Sequence, residues 1–327
     1  MGVVGTGSLG FHHARILRNV PEVTMAGFFE AREERAMEVA EELGIERRPS
    51  LDALLEVCDA VVVAVPTVAH EEVALAALDR GVHVLIEKPM AASIEEADRI
   101  LDAADAAGCV VQIGHVERFN QAIRAAEPYL ERPLFIESHR MAPFSPRSTD
   151  VAVVLDLMIH DVDLVQSLVG RPITDIAASG MPVLTRTIDI ANARISFEGG
   201  AVANLTASRV SLERMRKLRI FQPSGYLSLD LAGGTGEFLR LKQDLPLFSG
   251  GEPPAVPPPE GLAALVERIP LQGDGAEPLR KELENFRDAV RGDAPPAVSG
   301  RQGRRALEVT LSIEERIRAH VADTHPA

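Results

Sequence analysis

The fold is decided by a glycine-rich loop near the start of the chain, Gly5-Thr6-Gly7-Ser8-Leu9-Gly10. An apolar pair, Val3-Val4, precedes the loop, and residues 11–19 have the pattern of a helix. Between a strand and a helix, such glycines permit a tight turn and let the backbone approach a pyrophosphate at the helix N-terminus. The loop therefore predicts a dinucleotide-binding site formed by its six residues.

An acidic residue at the end of the second predicted strand supports this site. Glu30 follows Gly10 by 20 residues, the distance at which a carboxylate binds the ribose hydroxyls of the adenosine. Because a carboxylate repels a 2′-phosphate, Glu30 favours NAD over NADP as the cofactor. Arg32 and Arg35 are close enough to favour NADP instead, unless they only form a solvent-exposed helix face.

Strand and helix patterns alternate over residues 1–115, which is typical of parallel βαβ units in a doubly wound sheet. The clearest strands are the apolar runs Val23–Phe29, Ala60–Val65, Val82–Ile86 and Cys109–Ile113. The first strand is unusual, because only four residues precede the loop and a strand usually has about five or six. Either this strand is short or its true start lies upstream. We predict a Rossmann domain over residues 1–116.

A second domain is predicted over residues 117–327, where the pattern changes to successive strands. Seven strands are predicted, at Pro133–Met141, Ile173–Leu184, Ile188–Phe197, Ala201–Arg209, Lys217–Gln222, Tyr226–Leu231 and Glu237–Leu241. They indicate an α+β domain with a large, mostly antiparallel open sheet, interrupted by one helix near 153–169, so that the whole chain is of the α/β class. A Pro/Gly-rich loop follows at 246–261. Helices return at about 276–291 and 301–320, and the last one can pack back on the first domain.

A lysine marks the ligand-binding edge of the first sheet. Lys88 follows the strand Val82–Ile86 in the sequence Glu87-Lys88-Pro89-Met90. A residue at the carboxyl end of a parallel strand faces the ligand crevice. A cation there can stabilise an alkoxide and so ease the ionisation of a substrate hydroxyl. The alternative is a surface lysine at a turn.

Asp156 and His160 form a second candidate pair on the predicted helix near 153–169. Their i, i+4 spacing places both side chains on one helix face. A histidine suits proton transfer from an alcohol, and a carboxylate beside it can orient the imidazole or hold a substrate hydroxyl. The alternative is a buried histidine bonded to a structural aspartate. Asp161 and Asp163 are predicted to face solvent or to form local caps.

Charge and composition argue against several classes of partner. The chain has 34 Lys and Arg against 48 Asp and Glu, a net charge of −14, and its basic residues are scattered. Nucleic acids and anionic membranes are therefore not expected partners. No apolar run approaches the roughly 18 residues of a membrane span, and no secretion signal is seen. Cys58 and Cys109 lack metal-ligand spacing and indicate free thiols, which fits a cytoplasmic protein.

Three motifs follow one another along the chain: the glycine loop, Glu-Lys-Pro and Asp-x-x-x-His. In this order they resemble the glucose-fructose oxidoreductase / inositol dehydrogenase / MocA (Gfo/Idh/MocA) family. The resemblance covers nearly the whole chain, including the segments at 66–70 and 283–317. It implies a sugar dehydrogenase that passes a hydride to a nicotinamide. His160 would be the general base toward a sugar hydroxyl, Lys88 would polarise its oxygen, and Asp156 would hold a hydroxyl and orient the site.

The same resemblance implies the cofactor contacts and the assembly. Pro66, Thr67, His70 and Glu87 would lie near the ribose and nicotinamide of NAD, with NADP as the alternative cofactor. No catalytic metal is expected, because lysine and histidine supply the electrophile and the base. The open sheet would form the interface of a homodimer or homotetramer.

Residues 114–120 and 189–194 resemble the branch of the family that acts on UDP-N-acetylglucosamine. That branch oxidises the C3 hydroxyl for later transamination, for example in lipid A precursors, which implies an aminotransferase as a pathway partner. The candidate substrate-binding residues are His115, Arg118, Asn120 and Arg147.

A UDP-linked substrate would also explain arginines in an acidic protein, since a diphosphate needs cationic partners. The candidates are Arg118, Arg140, Arg147 and Arg209, and each of them can instead pair with an acidic residue. Two other functions stay open: a dehydrogenase of an unphosphorylated sugar or an inositol, and a cofactor-binding regulator without activity. The presence of Lys88 and His160 argues against the regulator.

Overall fold

The computed structural model describes residues 1–145, 151–242 and 265–324 of the chain. Within these ranges the chain forms two compact units. The first comprises Met1–Phe119 and Ala276–Val309, and the second comprises Asn120–Gly275 and Thr310–Ala327. The predicted loop at 246–261 lies outside the described residues. None of the helices in the described ranges combines the length and the apolar character that crossing a membrane requires.

The first unit is built on a five-stranded parallel sheet in the order β2-β1-β3-β4-β5. Its strands are β1 Gly2–Val4, β2 Gly27–Phe29, β3 Ala60–Val63, β4 His83–Glu87 and β5 Val111–Gly114. The strand order reverses at β1, which pairs with β2 on one side and β3 on the other. Ligands of doubly wound sheets bind outside the carboxyl ends of the strands at such a reversal. The predicted Rossmann class is confirmed, and β1 has only three residues.

The helices of the first unit are α1 Ser8–Leu17, α2 Glu33–Leu43, α3 Leu51–Leu55, α4 His70–Leu78, α5 Ile94–Ala107, α8 Pro278–Arg291 and the first part of α9 Gly300–Thr324. α5 begins with a side-chain cap, because Ser93 Oγ accepts the Glu96 N–H at 3.2 Å. The Glu96 carboxylate accepts the Ala92 N–H at 2.9 Å in return. This arrangement is close to a capping box.

Two segments from late in the chain complete the first unit. Leu283 and Phe286 of α8 are fully buried in the same apolar core as Leu17 and Phe28. The first turns of α9 are joined to α5 by ion pairs, among them Arg304–Asp98 at 2.5 Å. The core that supports the parallel sheet is therefore built from both ends of the sequence.

The second unit contains an eight-stranded sheet in the order β13-β12-β11-β10-β6-β9-β8-β7. Its strands are β6 Phe135–Met141, β7 Ile173–Met181, β8 Ile190–Phe197, β9 Val202–Ser208, β10 Met215–Gln222, β11 Gly225–Asp230, β12 Thr235–Leu241 and β13 Val266–Gln272. Neighbouring strands are antiparallel except β6 and β9, which are parallel. The predicted large, mostly antiparallel sheet is confirmed.

The strand β13 does not follow from the sequence pattern. Its sequence, VERIPLQ, contains Pro270, which has no N–H to donate to a neighbouring strand. The strand nevertheless forms because it lies at the edge of the sheet, where proline is tolerated. Pro270 faces Glu237 of β12, the strand with which β13 pairs in the described part of the chain.

The helices of the second unit are α6 Gln121–Ala126, α7 Ile159–Val169 and the remainder of α9. A π-helical segment, Val154–Met158, leads directly into α7. The sequence predicts one regular helix near 153–169, whereas the structure has a wider turn at its start. Such turns are rare and occur frequently at functional sites.

Candidate active site

The glycine-rich loop follows β1 and has no room for side chains at two positions. Gly5 has a φ of 81°, and a Cβ there would lie 2.8 Å from the carbonyl oxygen of Ala64. A Cβ on Gly10 would lie 1.9 Å from the carbonyl oxygen of Gly5. Gly7 is the cap residue of α1, whose first exposed residues are Ser8 and Leu9. Since Gly7 has no side chain to accept from the first N–H groups of α1, the turn fits the pyrophosphate of a dinucleotide.

Glu30 directly follows β2, and its carboxylate is bonded to the glycine loop. Its Oε2 accepts the Thr6 N–H at 2.8 Å, and its Oε1 accepts the Arg32 N–H at 3.1 Å and the Arg32 Nε–H at 3.0 Å. Burial opposes the ionisation of Glu30, but the hydrogen bonds from Arg32 and Thr6 outweigh it and lower the pKa of the carboxyl. Glu30 is therefore an anion fixed beside the loop.

Arg32 and Arg35 occupy different surroundings. The Arg32 side chain is 68% exposed and lies 4.0 Å from the position of a Cβ on Gly7. The Arg35 Nε donates to the carbonyl oxygen of Thr6 at 2.9 Å, and its guanidinium lies over the ring of Phe11. Arg35 thus supports the loop, and Arg32 is the exposed cation next to Glu30 on the solvent side.

We expect Glu30→Gln to weaken the preference for NAD over NADP by roughly tenfold or more, because the variant loses the charge that repels a 2′-phosphate and releases Arg32 to bind it. The dissociation constants of NADH and NADPH, measured by cofactor fluorescence, give this ratio directly. Glu33→Gln is the matched control, since Glu33 is an exposed glutamate of the same region that pairs with Arg47. An unchanged ratio in Glu30→Gln would show that the carboxylate does not select the cofactor.

The predicted residues after β3 lie beside the segment that follows β4. Pro66 is exposed and Thr67 is half-buried. His70 is buried, and its ring nitrogens lie 3.0 Å from two backbone carbonyl oxygens, those of Val65 and Pro89. Burial lowers the pKa of His70. His70 thus connects the two strand-end segments through their backbones.

Lys88 lies directly after β4, as predicted, and is half-buried. The peptide bond between Lys88 and Pro89 is cis. The buried Glu87 accepts the Lys88 N–H at 3.3 Å through its Oε2. His115, which is also buried, directly follows β5, the neighbour of β4. The structure therefore brings the loop, Glu30, Lys88 and His115 to the same edge of one sheet.

Asp156 and His160 belong to the second unit, whereas Lys88 belongs to the first. Asp156 is in the π-helical segment and His160 in the first turn of α7. Both side chains are half-buried. The pair combines a carboxylate with an imidazole, the set of groups that can accept and orient a proton from an alcohol.

The predicted exposure of Asp161 and Asp163 is wrong. Asp161 is 1% exposed and Asp163 is 2% exposed. The Arg140 guanidinium donates to both oxygens of Asp161, from Nε at 2.8 Å and from Nη2 at 3.0 Å. Arg140 lies on the inner face of β6, where a charge needs a buried partner. This side of α7 faces the sheet and not the solvent.

Arginine partners also limit which cations can bind a diphosphate. Arg209 pairs with Asp189, with 3.7 Å between Nε and Oδ1, and donates to the carbonyl oxygen of Val151. Arg140 and Arg209 therefore each pair with an acidic residue, which was the alternative to binding a diphosphate. Arg118 is half-buried in the short helical turn Val116–Phe119. Arg147 lies outside the described residues.

Asn120 forms backbone contacts within the second unit. Its Oδ1 accepts the Ala122 N–H at 3.0 Å, which caps α6, and its Nδ2 donates to the carbonyl oxygen of Leu231 at 2.8 Å. Ser, Thr, Asp and Asn are the residues favoured at such caps. The structure thus gives Asn120 a supporting role that the sequence analysis did not predict.

Known families match both parts of the chain. An oxidoreductase family with an NAD-binding Rossmann fold, GFO_IDH_MocA, matches residues 1–115, and the GFO/IDH/MocA C-terminal domain matches residues 90–228. The chain is 38% identical to UDP-N-acetylglucosamine 3-dehydrogenase of Acidithiobacillus ferrooxidans, over 97% of each chain. The chain belongs to the Gfo/Idh/MocA family. The resemblance predicted from the three motifs is confirmed, and so is an oxidoreductase that uses NAD.

Other members of the Gfo/Idh/MocA family are also similar. The solved structure of the Acidithiobacillus ferrooxidans enzyme matches with a TM-score of 0.87, at 37% identity over 97% of each chain. Myo-inositol 2-dehydrogenase of Thermotoga maritima is 25% identical over 94% of this chain and 92% of its own. Similarity therefore extends through both units to two kinds of sugar-related dehydrogenase.

Proposed function

We propose that this protein oxidises the C3 hydroxyl of UDP-N-acetylglucosamine to the 3-keto sugar and passes the hydride to NAD. The similarity to the Acidithiobacillus ferrooxidans dehydrogenase carries the proposal, because it extends over 97% of both chains at 38% identity. The inositol dehydrogenase of Thermotoga maritima, which represents the alternative substrate class, is 25% identical.

In this proposal three side chains act on the sugar hydroxyl. His160 accepts the proton of the hydroxyl, and Asp156 orients the imidazole or a neighbouring hydroxyl. Lys88 holds a positive charge against the oxygen as it becomes negative, which stabilises the alkoxide. Bound NAD supplies the hydride acceptor, and the glycine loop with Glu30 holds its pyrophosphate and ribose. Pro66, Thr67 and Glu87 line the nicotinamide side of the cofactor.

The substrate-binding residues are proposed from their places at the sheet edge. His115 and Arg118 follow β5, beside the segment that carries Lys88. Arg118 and Arg147 supply the cations that a diphosphate needs. Arg140 is not part of this set, since Asp161 neutralises it in the interior.

The outer face of the eight-stranded sheet is proposed as the interface of a homodimer or homotetramer. Half-buried aromatic rings lie together on it, with 5.0 Å between the ring centres of Phe221 and Tyr226 and 5.8 Å between those of Phe135 and Phe221. A partner subunit would bury this apolar area.

A 3-keto product suits a cytoplasmic aminotransferase, as in the synthesis of lipid A precursors.

The test is an assay of NADH absorbance with NAD and UDP-N-acetylglucosamine, with an aminotransferase and its amino donor added to remove the product. We expect turnover in the coupled reaction. A parallel reaction without the aminotransferase should give a product two mass units lighter than the substrate, which reduction with borodeuteride then labels at C3. Parallel reactions contain N-acetylglucosamine 1-phosphate, glucose or myo-inositol. Turnover of myo-inositol or glucose without turnover of the UDP-sugar would contradict the proposed substrate and leave the family assignment intact.

A further inference from the structure

Three buried ionisable side chains meet behind Lys88, all within the first unit. They are His13 of α1, Glu87 at the end of β4 and Glu282 of α8. One nitrogen or oxygen atom from each lies within 4.8 Å of those of the other two. His13 and Glu282 are fully buried and Glu87 is 7% exposed. No sequence motif predicts a role for His13 or Glu282.

His13 and Glu87 are directly hydrogen-bonded. The His13 Nε2 lies 2.6 Å from the Glu87 Oε1, and the other carboxylate oxygen of Glu87 accepts the Lys88 N–H. The neighbouring strand leaves room for this carboxyl, because Gly114 is the residue opposite Glu87 and a Cβ there would lie 3.0 Å from its Oε2. The pair thus fixes the backbone from which Lys88 projects.

Glu282 is the third member, and neither of its carboxyl oxygens has a hydrogen-bond partner among the residues that the structure describes. If it ionised, two carboxylates would be close together in the interior with one imidazole to balance them. Burial raises the pKa of Glu282 well above its ordinary value, and the charge of Glu87 raises it further. An un-ionised carboxyl is much less costly to bury than an unpaired carboxylate.

Other charged groups occur on the segments that pack against α8. α8 contacts α1 and the turn Val116–Phe119, which adds the buried Glu117 and the half-buried Arg118 to the surroundings. Lys88 and His115 lie at the ends of the adjacent strands β4 and β5. None of these groups has a hydrogen bond to the Glu282 carboxyl within the described residues.

A metal ion is a poorer explanation of this cluster than a proton. Two ligands of a tetrahedral zinc lie about 3.3 Å apart when each is about 2.0 Å from the metal. The His13 and Glu87 atoms are 2.6 Å apart, which is the distance of a hydrogen bond. His13 and Glu87 therefore share a proton in a hydrogen bond, because their atoms are too close together to be two ligands of one metal ion.

We propose that Glu282 is a positioning residue that stays un-ionised in the working enzyme. The neutral carboxyl preserves the His13–Glu87 hydrogen bond, and this bond holds the Lys88 segment and the cofactor site in place. Ionisation of Glu282 would repel the Glu87 carboxylate and displace the Lys88 backbone with it. The inference rests on NAD binding and not on the sugar that the enzyme oxidises.

The test measures NADH affinity by cofactor fluorescence from neutral to alkaline pH, without a sugar substrate. Since Glu282 is neutral below its raised pKa, the wild-type affinity should fall as the pH rises through it, by roughly tenfold or more. Glu282→Gln, which cannot ionise, should keep its affinity over the same range. Glu284→Gln is the matched control, because Glu284 lies on the same helix but pairs with Arg280 and Lys281. A fall in affinity of the same size in Glu282→Gln as in the wild type would overturn the proposal.

A second measurement does not depend on the fold of a variant. The carboxyl carbon of Glu282, followed by NMR in the intact wild-type protein, should show an un-ionised acid at neutral pH. An ionised Glu282 at neutral pH, or one equivalent of a transition metal in elemental analysis of the purified protein, would also overturn the proposal. Failure of the UDP-sugar assay would leave both measurements unaffected.

Discussion

Replacing Lys88 with Met should lower kcat/KM for the sugar substrate by roughly a hundredfold or more, while the NADH dissociation constant changes little. The lysine charge is needed when the hydroxyl oxygen becomes negative, so its loss raises the barrier more than it weakens cofactor binding. His160→Gln should cause a loss of similar size, since a positioned base contributes about 10²–10⁴-fold. Initial rates of NADH formation, together with NADH binding, separate the two effects.

Lys281→Met is the matched control for the lysine variant. Lys281 is a partly exposed residue of α8 that pairs with Glu284, and its replacement should leave kcat/KM within a few-fold of the wild type. If Lys88→Met retained the wild-type rate, Lys88 would be a surface lysine at a turn, and the site assignment would be wrong.

Replacing Asp161 with Ala should destabilise the protein by about 3–5 kcal/mol, because it leaves the Arg140 guanidinium buried without its carboxylate. Both side chains are at most 3% exposed, so water cannot take the place of the lost partner. The free energy of unfolding in urea, followed by circular dichroism, measures the change. We expect Asp161→Ala to unfold at a clearly lower urea concentration than the wild type.

Glu237→Ala provides the comparison with a surface pair. Glu237 and Arg268 are 2.6 Å apart on neighbouring strands, but both are at least 40% exposed, so the loss should be about 0–1 kcal/mol. The double variant Arg140→Met, Asp161→Leu should regain much of the stability, since it removes both charges. Equal losses for Asp161→Ala and Glu237→Ala would mean that the buried pair contributes no more than an exposed one.

The sequence predicted the parallel sheet of the first unit well because its signals are local. Apolar runs such as Ala60–Val63 precede helices at short distances in the sequence. The loop glycines are required because a Cβ on Gly10 would meet the backbone of Gly5, and a Cβ on Gly5 would meet the backbone of Ala64 after the neighbouring strand. The large sheet was also predictable, since alternating residues mark its half-exposed strands. β13 was missed because proline tolerance depends on an edge position, which only the complete strand order reveals.

The candidate site was harder to predict where it depends on burial. Asp161 was placed in solvent because nothing in its own helix indicates the partner on β6. Glu282 did leave a signal: it precedes Phe286 by four residues and Ala289 by seven, so it lies on the buried face of α8. Its proximity to Glu87 could not be predicted, since 195 positions separate the two residues.

The late return of α8 and α9 to the first unit has a consequence for biosynthesis. The ribosome makes the parallel sheet first, yet Leu283 and Phe286 of its core emerge only after the whole eight-stranded sheet. Until then an apolar surface on the nascent Rossmann half lacks its cover, which exposes it to chaperones and to aggregation. The half that is translated first therefore completes its core only after α8 has been translated.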